Sequence, residues 1–200
     1  MSSLPLMLNL VRDPFINVEY LSTMNDSRKE VSNGVRVYFA ADHAGFDLKN
    51  ALVAHVRTLG YDAEDLGAFT LNPDDDYPDF VTPCATRVAE ENARDGGAVA
   101  RGIVIGGSGQ GEAMAANRVP GVRAAIFYGP MPVTKSLDID GGRSEDGYDL
   151  VRLARRHNDA NVLSIGARFV SGEAADEAVR IFLETPFSGS SRHVRRLTKF

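Results

Sequence analysis

Three stretches of the chain carry residues whose types and spacing can do chemistry. The first is "GIVIGGSGQGEAMAANRVPG" (102–121), an apolar run, a glycine loop holding Ser108, and then Glu112 at the start of a helical pattern. At a strand–loop–helix junction the helix N-terminus offers unpaired N–H groups and a positive dipole end. Glycines let that backbone approach an anion with no Cβ in the way. The loop is not a dinucleotide fingerprint, because Glu112 stands where a third glycine belongs, and it lacks the lysine of a P-loop. Two readings remain: an anion cradle, or a tight turn with Glu112 as a first-turn capping residue.

The second stretch, "ADHAG" (41–45), follows another strand-like run, so Asp42 and His43 fall on the same rim as the glycine loop. Such a pair can bind a sugar hydroxyl or a phosphate, or shuttle a proton; equally, Asp42 can cap the next helix with His43 on the surface. The third, "SSRHVRRLTKF" (190–200), is dense in basic side chains. If it is helical, Arg192 and Arg196 are four apart on one face, and two guanidinium forks suit a phosphate. The alternative is a solvated basic tail. His55 lies on an apolar helical stripe and reads as packed, and Cys84 reads as core. The four histidines stand far apart in sequence, and no His/Cys/Asp group has metal-ligand spacing, so no metal is expected.

The elements that must position these residues alternate in type. Residues 35–40 read as a strand. Leu48, Leu52, His55, Val56 and Leu59 then recur at helical spacing, with Gly60 where a C-cap glycine belongs. A weak strand over 62–67 and a helix over about 79–94 follow, the latter accommodating Pro83 only in its first turn. Next come a strand over 101–106, a helix over 110–117, strands over 122–127 and 162–166, and a helix over 172–184. This alternation predicts a parallel sheet covered by helices on both faces. Residues 1–34 lack a sustained period and read as an N-terminal extension ahead of a domain spanning 35–187. Residues 129–148 read as a long inserted loop, and 188–200 as a basic C-terminal segment.

Bulk properties limit the function classes. Two hundred residues suit one domain with a sizeable core, and a formal net charge of −5 makes any anion site local. An acidic chain with no aromatic platform among its basic residues argues against nucleic-acid binding. No apolar run approaches the roughly 18 residues of a membrane span. A single cysteine excludes an internal disulfide and fits a reducing compartment. The opening "MSSLPLMLNLVRDPF" lacks a basic start, and Arg12 and Asp13 break its apolar run, so no secretory signal is read and the expectation is cytoplasmic.

"ADHAGFDLKNAL", "DYPDF", "GIVIGGSGQGEAMAANRVPGVRAA", "RRHNDANVLSIGAR" and "RHVRR", in this order, resemble sugar-phosphate isomerases of the ribose-5-phosphate isomerase B and galactose-6-phosphate isomerase family. The resemblance covers about residues 35–128 and 149–197. It implies a Rossmann-like three-layer α/β/α fold with a parallel, about five-stranded sheet. It also implies a homodimer or tetramer whose active sites are shared between subunits, a phosphorylated small sugar as ligand, and no cofactor. Carried over by residue, Asp42 and His43 hold the substrate, and Tyr77, Gln110 and Asn117 line its pocket. His157 helps open the sugar ring with Asn158 beside it, both from the neighbouring subunit. Arg168, Arg192 and Arg196 bind the phosphate. Gly107, Ser108, Gly109 and Gly111 steady the enediolate oxygens through backbone N–H groups.

One departure bears on the base. Many members have a cysteine at the position of Gly106; a second branch has a glutamate where Glu112 stands, and Glu112 is the expected base here. Ribose 5-phosphate with ribulose 5-phosphate is the leading pair. A four- or six-carbon sugar phosphate, or a sugar-phosphate sensor without turnover, are the alternatives.

Overall fold

A computed structural model describes residues 34–94, 99–137 and 146–199. Most of the expected N-terminal extension and part of the 129–148 loop lie outside the described residues. Five strands form one parallel sheet: β1 (Arg36–Ala41), β2 (Asp62–Asp65), β3 (Ala100–Gly106), β4 (Ala124–Phe127) and β5 (Val162–Gly166), in the order β2-β1-β3-β5-β4. The helices are α1 (Phe46–Thr58), α2 (Pro78–Arg94), α3 (Gln110–Ala116), α4 (Asp149–Asn158), α5 (Gly172–Glu184) and α6 (Ser191–Leu197).

Alternation of side chains along the strands feeds two separate cores. Val37, Phe39, Ala41, Ile103, Ile105, Leu163 and Ile165 point to one face and pack against α1, α4 and α5 through Leu52, Val56, Val151, Ala178 and Phe182. Tyr38, Ala40, Val104 and Val162 point to the other, where Val81, Cys84, Ala85 and Val88 of α2 and Ala116 of α3 cover them. The expected three-layer α/β/α architecture is therefore present, and Cys84 is core. None of the described helices is long and apolar enough to cross a membrane.

Several boundaries follow from local chemistry. Pro78 opens α2 at the one position where a missing N–H costs nothing. Pro83 lies deeper inside that helix than the first turn expected for it. It is exposed, so water can take the carbonyl its ring leaves without a donor. Helix α1 ends at Thr58 with Leu59 as its C-cap, and Gly60 follows with φ 90°, as the pattern predicted. Helix α4 was not foreseen: a run that includes Arg152, Arg155, Arg156 and His157 hides an inward stripe of Val151 and Ala154.

The chain turns from β1 into α1 through a single 3₁₀ turn, His43–Gly45, and runs so close to β3 that a Cβ on Gly45 would lie 2.5 Å from the Ile105 carbonyl oxygen. Backbone cannot retreat as a side-chain end can. Gly45→Ala is expected to lower unfolding stability by about 1–3 kcal/mol, the usual range for overpacking, read as a fall in the urea midpoint with an unchanged slope.

Candidate active site

The sheet order reverses between β1 and β3, which opens a crevice at their carboxyl ends, the place where ligands bind in open α/β sheets. The first residues past three adjacent strands meet there: Asp42 and His43 after β1, Gly107 to Glu112 after β3, and Arg168 after β5. Asp75 and Tyr77 join them from the connection between β2 and α2.

Glu112 sits in the first turn of α3 with only 4% of its surface exposed. Its carboxylate occupies the space beside Gly106: a Cβ there would lie 1.7 Å from Glu112 Oε1 and 2.2 Å from Cδ. Gly106 is thus the recess that receives the acid. Burial raises the Glu112 pKa above the ordinary carboxylate value. The neighbouring Asp42 pushes the same way, while hydrogen bonds from the backbone N–H groups of Glu112 and Gly109 oppose them. A raised carboxylate pKa is the direction that a general base near neutral pH needs.

The glycine loop is shaped by its neighbours. Gly109, with φ 73°, is the N-cap of α3, and the Ser164 hydroxyl donates to its carbonyl at 2.6 Å. Gly111 lets the Tyr77 ring lie against the loop, since a Cβ there would meet Tyr77 Cζ at 2.7 Å. A Cβ on Gly107 would lie 3.1 Å from Arg168 Cζ, so a guanidinium rests on the loop's opening residue. Gln110 opens α3 on the exposed side, and its N–H donates to Ser108 Oγ at 3.3 Å. The loop is a tight turn, and a buried carboxylate, a guanidinium and a phenol ring lie against its bare backbone.

Asp42 does cap the following turn, its Oδ1 accepting from the N–H groups of Ala44 (3.0 Å) and Gly45 (3.2 Å). His43 is held by Asp75, whose Oδ1 accepts from the His43 backbone N–H at 3.1 Å and pairs with Nδ1 at 2.7 Å. Asp75 was missed in the sequence because no motif marks it; only the fold brings it to His43. Asp42, His43 and Asp75 place one ligand-type atom each within 4.8 Å of one another, a grouping that sequence spacing did not reveal. The short bond from Asp75 already engages Nδ1, which makes this a carboxylate–histidine pair.

The remaining expected residues form a second group. His157 and Asn158 end α4, and the His157 ring lies 4.1 Å from that of His193 on α6. Arg192 and Arg196 stand exposed on α6, so the basic tail is helical and presents both forks on one face. Asp159, with φ 45°, caps α4 and is gripped by Arg123 and Arg155. The Ser188 N–H donates to the Arg156 carbonyl and seats α6 beside α4. Asn117 is tied to the start of β4: its amide spans the Ala124 backbone, accepting at 2.7 Å and donating at 3.1 Å. A cavity of about 600 Å³ also lies apart from the glycine loop, lined by Asn117, Arg123, Ala154, Asn158 and Leu197 among others.

Comparison with known proteins places this arrangement. The family model described as "Ribose/Galactose Isomerase" matches residues 37–141 and 142–200. Ribose-5-phosphate isomerase B of Mycolicibacterium paratuberculosis is 39% identical over 164 residues, 82% of this chain and 87% of that protein. Among solved structures, ribose-5-phosphate isomerase B from Mycoplasma genitalium with bound ribulose-5-phosphate aligns with a TM-score of 0.69 and 33% identity, over 82% of this chain and 93% of that one. The Trypanosoma brucei type B enzyme aligns at 0.67 and 34%, over 82% and 95%. The chain belongs to the ribose/galactose isomerase family.

The recess at Gly106 has a direct test. Carboxyl-carbon NMR should show Glu112 titrating above 4.5. Gly106→Ala, by driving the carboxylate out toward water, should bring that titration back down. An unmoved titration in Gly106→Ala would mean that the recess does not hold the acid.

Proposed function

We propose that the chain interconverts ribose 5-phosphate and ribulose 5-phosphate through an enediolate, with Glu112 as the base. The observation that carries the assignment of the base is the buried Glu112 carboxylate seated in the Cβ-free recess of Gly106, behind the glycine loop. With the open-chain aldose in the crevice, Glu112 takes the proton from C2. The C–H electron pair becomes the C1–C2 double bond, and the carbonyl electrons move onto O1. In this reading, N–H groups of the glycine loop stabilise that negative charge as it develops. Transfer of the hydroxyl proton from O2 to O1 and return of the carbon-bound proton from Glu112 to C1 give the ketose. His43 and Arg168 supply positive charge beside the loop for the phosphate, with the Tyr77 ring as a wall.

The ring-opening histidine and the arginine pair Arg192 and Arg196 come, in this reading, from another copy of the chain. His157 precedes the amino end of β5, whereas Gly107 to Glu112 lie at the sheet's carboxyl end. Along the five residues of β5 the two ends stand roughly 13 Å apart, too far for one small sugar to touch both within a chain. Each group is flanked by exposed apolar surface of the kind a partner covers. Met114 is 67% exposed two residues after Glu112, and Val194 is 42% exposed between Arg192 and Arg196. A symmetric dimer brings the two halves together twice.

Subunit mixing tests the shared site. Glu112→Gln and His157→Ala are each expected to be nearly inactive alone. After co-refolding, random assortment makes half the dimers mixed, with one intact site each, so about a quarter of wild-type turnover should return. No recovery from mixtures shown to contain heterodimers would place all the catalytic groups in one chain.

A further inference from the structure

His43 is the one histidine on the catalytic rim, and its partner carries an unexplained oxygen. The Asp75 side chain is only 6% exposed. Its Oδ1 serves both the backbone N–H and Nδ1 of His43, at 3.1 and 2.7 Å, while Oδ2 is buried with no hydrogen-bond partner. A buried carboxylate with one bare oxygen is a costly way to hold a loop, because an asparagine could accept the same two bonds through its carbonyl with no charge to desolvate. The negative charge makes sense if its purpose is the charge state of the ring.

We propose that Asp75 is a positioning residue for the isomerase: it fixes the His43 ring through Nδ1 and so presents Nε2–H as a charged donor to the substrate's phosphate. This rests on reading the glycine-loop rim as the sugar-phosphate site. With Nδ1 committed as a donor to Asp75, Nε2 is the nitrogen left for a ligand. The groups that act on this ring are Asp42 on its own turn, Asp75 from the β2–α2 connection and Arg168 from the β5–α5 connection. The Asp75 bond is the largest influence and raises the His43 pKa. Desolvation and Arg168 oppose it, and Asp42 assists it. Next to Arg168, a neutral imidazole would offer the phosphate an acceptor where a donor is needed; the Asp75 carboxylate prevents that.

The sign follows directly. A raised pKa keeps the imidazolium at neutral pH, so dianion binding is full below that pKa and weakens as pH rises through it. Removing the charge of Asp75 should move this loss to lower pH.

The test follows His43 ring signals by NMR across pH in the full chain, assigned against His43→Gln, together with sulfate affinity by calorimetry. Sulfate stays a dianion throughout and needs no turnover. In the wild type, His43 should titrate above 6.5, and sulfate binding should weaken with the same midpoint. In Asp75→Asn both midpoints should fall together, and sulfate affinity at pH 7 should drop about tenfold. Asp75→Glu should recover part of the affinity. A wild-type His43 that titrates at or below 6.5 overturns the proposal whether or not the variant folds. So does an Asp75→Asn protein with both midpoints unmoved, which would leave Asp75 a purely structural role. Failure of the isomerase reading would show differently, as absent turnover with the coupled titrations intact.

Discussion

The site depends on a missing carbon atom. β3 ends at Gly106, and the volume a Cβ would fill there holds the Glu112 carboxylate. Fixing that acid fixes much else. Its helix must begin within one tight turn of β3, which requires Gly109 in the left-handed region and a hydroxyl, Ser164, to take the Gly109 carbonyl. The turn then exposes the backbone on which Tyr77 and Arg168 pack. A side chain at position 106 and an acid at 112 compete for one space, so the two positions are coupled sterically.

Parallel topology separates the two groups of expected site residues within one chain. Parallel strands put every strand's following loop on one edge of the sheet and every preceding helix end on the other. The glycine loop, Asp42 and Arg168 are of the first kind; His157 and Asn158 are of the second. The Asp159 cap with its two arginines fixes the second group as firmly as Gly109 and Ser164 fix the first.

Much of this was legible in the sequence, for identifiable reasons. The strand over 162–166 and the helix over 172–184 were read with their observed bounds, because a short β-branched run and an amphipathic stripe with Ser171 as N-cap leave little freedom. The crevice was legible too, since "ADHAG" and "GGSGQG" each follow a buried strand. What escaped were features decided by tertiary contact. Helix α4 escaped because its buried side includes two charged residues, Asp149 and Arg155, beside Val151 and Ala154, so no apolar stripe shows in the sequence. Asp75 sits in a polar run that looks like ordinary loop, and its bond to His43 exists only once β1 and the β2–α2 connection are side by side. Gly106 was read as the loss of a cysteine, whereas the structure shows it as room for the Glu112 carboxylate. Asn117 is tied to the β4 backbone, a partnership that a motif-based reading cannot see.

The central claim is that Glu112 moves the proton between C1 and C2, and isotope exchange asks this most directly. Ribose 5-phosphate would be incubated in D₂O with the wild type and with Glu112→Gln, and followed by NMR. The account predicts deuterium at the reacting carbons and ribulose 5-phosphate with the wild type. The glutamine variant should lose both by at least about a hundredfold while still binding the sugar phosphate, in line with the usual contribution of a positioned general base. Wild-type rates of exchange in Glu112→Gln would contradict it, and would move the base to another group on the same rim.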